Sequence, residues 1–125
     1  NPVYYVQYAH ARIASLLKKA ADLGYDVKTN LTTHETLNMD SITALLNHLR
    51  AYPEMLEKAA LSREIHKIPN YLHELASLFH RWYGEEKLIT DNETYSRERV
   101  SLLNAIQAVL ANGLELIGVS APEVM

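Results

Sequence analysis

The sequence has 125 residues, a formal net charge of -3 and no cysteine. A chain of this length predicts one domain, 1–125, that buries about two thirds of the surface its unfolded form exposes. The lack of cysteine excludes disulfides and thiolate metal sites and fits a cytoplasmic protein. The small acidic excess argues against a domain that coats nucleic acid non-specifically, but it leaves room for a local RNA contact. No apolar run approaches the ~20 residues that span a bilayer, so we expect no membrane segment.

The start of the chain predicts a helix from residue 2 to about residue 22. Asn1 is a favoured N-cap, Pro2 suits the first helical position and Gly24 is a stop signal. At about 100° per residue, one face of this helix is apolar and should pack on other helices. That face consists of Val6, Ala9, Ile13, Leu16, Leu17 and Ala20.

A second stripe of the same helix mixes aromatic, hydroxyl and cationic side chains about 100° around from the apolar face. It consists of Tyr5, Tyr8, Arg12, Ser15 and Lys19. Such a stripe can stack on bases and contact phosphates. On spacing alone, the tyrosines fit a half-buried boundary between helices better, with their hydroxyls in water.

The middle of the chain predicts a long loop and then two helices. Residues 25–39 have no sustained helical period, and loops of that length are often functional. Asp40 is the expected cap of a second helix that ends near Ala51. Pro53 can open the third helix at its first position.

The last part predicts two more helices, which makes the fold an all-α bundle of four long helices and one shorter helix, without strands. Pro69 marks a kink or a fresh start in the fourth helix, which ends at Gly84. The fifth helix begins at about residue 95 and closes at Gly118. Gly113 lies on its apolar face and costs about 1 kcal/mol relative to alanine, so we expect another backbone close to it.

The charged and titratable side chains predict no catalytic or metal site. His66, His73 and His80 are spaced by seven, which puts successive side chains about 10 Å apart on a helix. That separation is too large for one zinc ion with bonds of about 2 Å. The sequence also lacks a phosphate-binding loop and a Ser-His-Asp signature. Arg97 and Arg99 fit solvated positions.

Four segments stand out when they are taken together. They are residues 6–12 (VQYAHAR), residues 71–76 (YLHELA) with Phe79, His80 and Tyr83, residues 109–114 (VLANGL) with 116–119 (LIGV), and residues 121–125 (APEVM). In this order they resemble the C-terminal helical domain of arginyl-tRNA synthetases, the anticodon-binding domain of that class I enzyme. The resemblance covers essentially the whole chain.

The resemblance implies binding to the anticodon stem-loop of an arginine tRNA. By position, the implied anticodon contacts are Tyr5, Tyr8, Arg12, Tyr83 and Met125, with Ser15 and Lys19 as candidate phosphate contacts. It also implies an upstream catalytic domain that ligates arginine to tRNA with ATP and Mg²⁺. Because that domain is missing, we expect the chain to be a fragment, without its own cofactor, from a monomeric cytoplasmic enzyme. The alternative is a free-standing helical module that binds another protein through its tyrosines.

Overall fold

The computed structural model describes residues 2–125, so the predicted Asn1 cap lies outside the described residues. Over this range the chain is all-α, as predicted, and contains five helices and no strand. They are α1 (Pro2–Asp22), α2 (Met39–Arg50), α3 (Tyr52–Ser62), α4 (Lys67–Glu85) and α5 (Glu93–Leu116). None of these five helices is long and apolar enough to cross a bilayer.

Three helices are long and two are short, where the sequence predicted four long helices and one short helix. The difference comes from α3, which has only 11 residues. It ends because Arg63 has a left-handed backbone, with φ of 58°, and donates its amide N–H to Ala59. Two of the three predicted glycine stops are confirmed: Gly24 (φ 88°) follows α1 and Gly118 (φ 75°) follows α5. The third is not a stop, because Gly84 lies inside α4, which ends one residue later at Glu85.

The starts of α2 to α5 differ by a few residues from the prediction. Pro53 is the second residue of α3 rather than the first, and α4 begins at Lys67, two residues before Pro69. Asn38, rather than Asp40, is the N-cap of α2, and Asp40 lies in the first turn, where its charge suits the positive end of the helix dipole. Helix α5 begins at residue 93, about two residues early. It does so because the side-chain oxygen of Asn92 accepts a hydrogen bond from the amide N–H of Tyr95, at 3.0 Å.

Helices α1, α4 and α5 pack on one another, while α2 and α3 pack against α4. The most deeply buried core side chains include Ile13, Leu72, Leu75, Phe79, Leu103, Ile106 and Leu110. Gly113 does face a close neighbour, but that neighbour is a side chain and not a backbone. A Cβ atom at Gly113 would lie 2.5 Å from Cδ2 of Leu72, so only glycine fits without a shift of this buried leucine.

A buried carboxylate on α5 fixes the long loop of residues 23–38. Glu98 is 1% exposed and accepts hydrogen bonds from the amide N–H groups of Glu35, at 2.9 Å, and Thr36, at 2.7 Å. Burial alone would raise the pKa of Glu98. The hydrogen bonds from the side chain and backbone of Thr36, from Thr33 and from Glu35 outweigh burial and lower that pKa to about 2.

The neighbouring Arg99 is also buried, so the expectation of a solvated position was wrong. Its Nε donates to the carboxylate of Glu86 at 2.6 Å, and its Nη2 donates to the carbonyl oxygen of Thr36 at 3.0 Å. The guanidinium carbon also lies 3.4 Å from the centre of the Tyr95 ring. These partners replace the water that the charge would otherwise need.

Candidate nucleic-acid interface

Side chains of α1 and α4 meet the last residues of the chain around an open depression of about 350 Å³. Its lining consists of Tyr8, Ala11, Arg12, Ser15, Tyr83, Glu123, Val124 and Met125. Most of the predicted contact residues therefore lie around one surface feature, although they come from three separate parts of the sequence.

Arg12 lies within an aromatic cluster that consists of Tyr5, Tyr8, His80 and Tyr83. Its guanidinium carbon is 3.9 Å from the ring centre of Tyr83 and 4.9 Å from that of Tyr8. None of the ion pairs in residues 2–125 involves Arg12, although Glu123 lines the same depression. The positive charge is therefore held by rings and not cancelled by a carboxylate, which leaves it available to a ligand.

Tyr8 and Tyr83 are each 38% exposed, so part of each ring is accessible at the depression. Tyr5 is placed differently. Its half-buried ring lies 4.9 Å from the ring of His73 and 5.0 Å from that of His80, and it does not line the depression. Tyr5 thus contacts the residues beside the depression rather than the depression itself.

The last residues of the chain are fixed to α1 by two side chains that were not among the predicted contact residues. The side-chain amide of Gln7 donates to the carbonyl oxygen of Ser120 at 3.0 Å. His10 is 6% exposed, and its Nδ1 lies 2.8 Å from the carbonyl oxygen of Pro122, so Nδ1 carries the proton. In the sequence, Gln7 and His10 are only two polar residues three positions apart on a helix. Many pairs on helix surfaces have this spacing, so it did not indicate their contacts.

Met125, held in place by those contacts, is 47% exposed at the edge of the depression. Lys19 lies outside the lining. It belongs to a neighbouring hollow of about 450 Å³ that also includes Lys87 and shares Tyr83 with the depression. The two hollows lie side by side along α1, with Ser15 in the first and Lys19 in the second.

His80 belongs to the same cluster and lies on α4. Its ring is stacked on that of Tyr8, with 5.6 Å between ring centres, and its Nδ1 is 3.2 Å from Nη1 of Arg12. Burial, and secondly the charge of Arg12, lower the pKa of His80 below its usual value. Within the described residues, no group of three or more His, Asp or Glu side chains could hold a metal ion.

These features define a helical domain with an exposed surface of tyrosine and arginine side chains. Its family is that of the DALR anticodon binding domain, which matches residues 6–125, and the chain belongs to this family.

The relatives of this chain are arginine–tRNA ligases. The ligase of Acinetobacter baumannii is 47% identical over 127 residues, and that of Symbiobacterium thermophilum is 45% identical over 126 residues. Both matches cover all of this chain but only 21% and 23% of the relatives. The solved arginyl-tRNA synthetase of Thermus thermophilus has a TM-score of 0.80 and 33% identity, over 97% of this chain and 21% of that one.

The chain thus spans about a fifth of the length of the relatives it matches. Its family membership favours the anticodon-binding prediction over a free-standing module for protein interaction.

Proposed function

We propose that this domain binds the anticodon stem-loop of an arginine tRNA, and that the depression between α1, α4 and the last residues is the RNA contact surface. The observation that supports this most directly is the uncancelled charge of Arg12, held between the rings of Tyr8 and Tyr83. Single-stranded loops offer RNA-binding proteins unstacked bases that stack on aromatic rings and on arginine, together with phosphates that attract cations.

Each side chain has a distinct part in this proposal. The rings of Tyr8 and Tyr83 stack on bases, and Arg12 donates its free N–H groups to base edges or phosphates. Met125 supplies an apolar contact at the edge. Ser15 and Lys19 lie further along α1 and contact phosphates, while Tyr5 supports the rest of the cluster through His73 and His80.

The wider proposal concerns the protein that contains this domain. Residues 1–125 act as one domain that places the acceptor end of the tRNA in a catalytic domain, where arginine is ligated to it. ATP and Mg²⁺ serve that ligation in the catalytic domain, and no residue of the present chain is assigned to either. We place this enzyme, as a monomer, in the cytoplasm, where translation occurs.

Substitution of Tyr8 tests the contact surface. In the natural protein that contains the domain, Tyr8→Ala should weaken binding of arginine tRNA by about 1–3 kcal/mol, the range for one lost stacking partner. Tyr8→Phe keeps the ring and serves as the matched control, with affinity close to wild type. Equal affinities for wild type and a Tyr8→Ala protein shown to be folded by circular dichroism would refute the assignment.

A further inference from the structure

His80 on α4 contacts several of the residues predicted to contact the anticodon. Its ring centre lies 5.0 Å from that of Tyr5 and 5.6 Å from that of Tyr8. Its Nδ1 lies 3.2 Å from Nη1 of Arg12. The side chain of His80 thus touches three of the predicted contact residues, and all three lie on α1.

The hydrogen bond to Arg12 fixes the chemical state of His80. A guanidinium group has only donors, so Nδ1 of His80 must be the acceptor and the proton of the neutral ring lies on Nε2. Nε2 is buried and has no hydrogen-bond partner within residues 2–125. The contact made by Nδ1 is therefore the one polar bond of this ring, and it is directed at Arg12.

A neutral acceptor can orient the guanidinium of Arg12 without cancelling its charge, which a carboxylate could not do. An aspartate or glutamate at this point would hold the guanidinium but would also cancel its charge, as Glu86 does for Arg99. Neutral imidazole fixes one N–H group of Arg12 and leaves the remaining donors and the whole positive charge for a ligand.

We propose that neutral His80 is a positioning residue that fixes the orientation of Arg12 for contact with the tRNA anticodon without neutralising its charge. This inference rests on the proposed function, because it concerns how Arg12 is presented to RNA.

Protonation of His80 should disrupt this arrangement. An imidazolium ring has no acceptor and repels the guanidinium, so Arg12 would lose its orientation. The titratable and charged groups in contact with His80 are Tyr5, Tyr8 and Arg12 on α1. Further out, His73 contacts Tyr5, Tyr83 contacts Arg12, and Glu123 lines the depression. Arg12 is the charged group in contact with the ring, and it favours the neutral form. Binding should therefore weaken on acidification, which is opposite to the usual effect of added positive charge on RNA affinity.

The test measures the affinity for arginine tRNA of the wild type, His80→Phe and His80→Asn. Each is prepared as the natural protein that contains the domain. His80→Phe keeps an aromatic ring but removes the acceptor, and should weaken binding about tenfold, as expected for a loosened hydrogen bond to a charged group. His80→Asn restores an acceptor near the position of Nδ1 and should recover most of the affinity. As the pH falls below the usual histidine pKa of about 6.5, wild-type affinity should fall more than that of His80→Phe.

An Arg12→Ala background separates positioning from general support of the fold. His80→Phe should have almost no further effect there, because the group that it positions is gone. An equal loss with and without Arg12, or no recovery in a folded His80→Asn protein, would overturn the inference. If Arg12→Ala weakens binding but His80→Phe does not, the positioning role of His80 is refuted and the proposed function is still supported. If Arg12→Ala itself has no effect, the RNA surface assigned to Arg12 falls as well.

Discussion

The exposed side chain of Met125 can contribute to binding without contributing much to the stability of the fold. Almost half of its surface is open to solvent, while Gln7 and His10 hold the preceding residues on α1 through backbone carbonyl groups. The position of the segment therefore depends on its backbone and on α1, and not on burial of the methionine side chain. A residue of this kind has little effect on the folded state and is free to contact a ligand.

Met125→Ala should reduce affinity for arginine tRNA with little change in melting temperature. An apolar contact of this size contributes on the order of 1–2 kcal/mol when a ligand covers it, whereas an exposed side chain adds little to folding. Met125→Leu keeps the apolar volume and is the control. Binding and melting temperature should be measured on the same samples, and a large fall in melting temperature would make Met125 a core residue instead.

At the scale of elements, the loop of residues 23–38 depends on its contacts with α5. Its amide groups at Glu35 and Thr36 have no helix or sheet partner and bond instead to the carboxylate of Glu98. Arg99 binds the carbonyl oxygen of Thr36 from the same helix. Two buried charges of opposite sign thus satisfy both the donors and the acceptor of this turn of the loop.

The state of Glu98 predicts a particular response to acid. Its pKa is lowered from 4.5 to about 2 in the folded protein, so its contribution to stability is present above pH 4.5 and is lost as the pH falls through about 2. The free energy of unfolding of the wild type should therefore drop across this window more steeply than that of Glu98→Gln. Glu115→Gln, an exposed change on the same helix, is the control. Denaturant titrations at several pH values measure this, and parallel curves for wild type and Glu98→Gln would contradict it.

Sequence patterns predicted those features that depend on neighbouring residues. The helical period put Tyr8 and Arg12 on one face, and a proline and a glycine marked the ends of α1. The burial of Glu98 and Arg99 could not be read in the same way, because their partners in the loop lie more than 60 residues away. No local spacing distinguishes such a charge from one on a solvated face.

In the candidate site too, some features could be predicted from local sequence and others depend on the packing of the helices. Spacing showed only that the side chains of α1 could share a ligand, and the positions of Tyr83 and Met125 came from resemblance to a family. The link between His80 and Arg12 joins residues 68 positions apart, so it depends on how α4 packs against α1. Packing of this kind is visible only in the folded chain.

Over all 125 residues, the net charge of -3 makes the general attraction of this domain to RNA weak. Recognition should therefore come from a small surface, with stacking on bases and only a few phosphate contacts. The dependence of affinity on salt should be correspondingly modest, with a slope of about -1 to -2 in a plot of log K against log salt, since each contact to single-stranded RNA adds about -0.7.

The most direct test of anticodon binding is a filter-binding titration at two salt concentrations with two RNAs. One is arginine tRNA and the other is the same tRNA with its anticodon bases replaced, so that only the proposed contact changes. We expect tighter binding of the unaltered tRNA at both salt concentrations and a modest fall in affinity for each RNA as salt increases. Equal affinity for the two RNAs would contradict recognition of the anticodon by this domain.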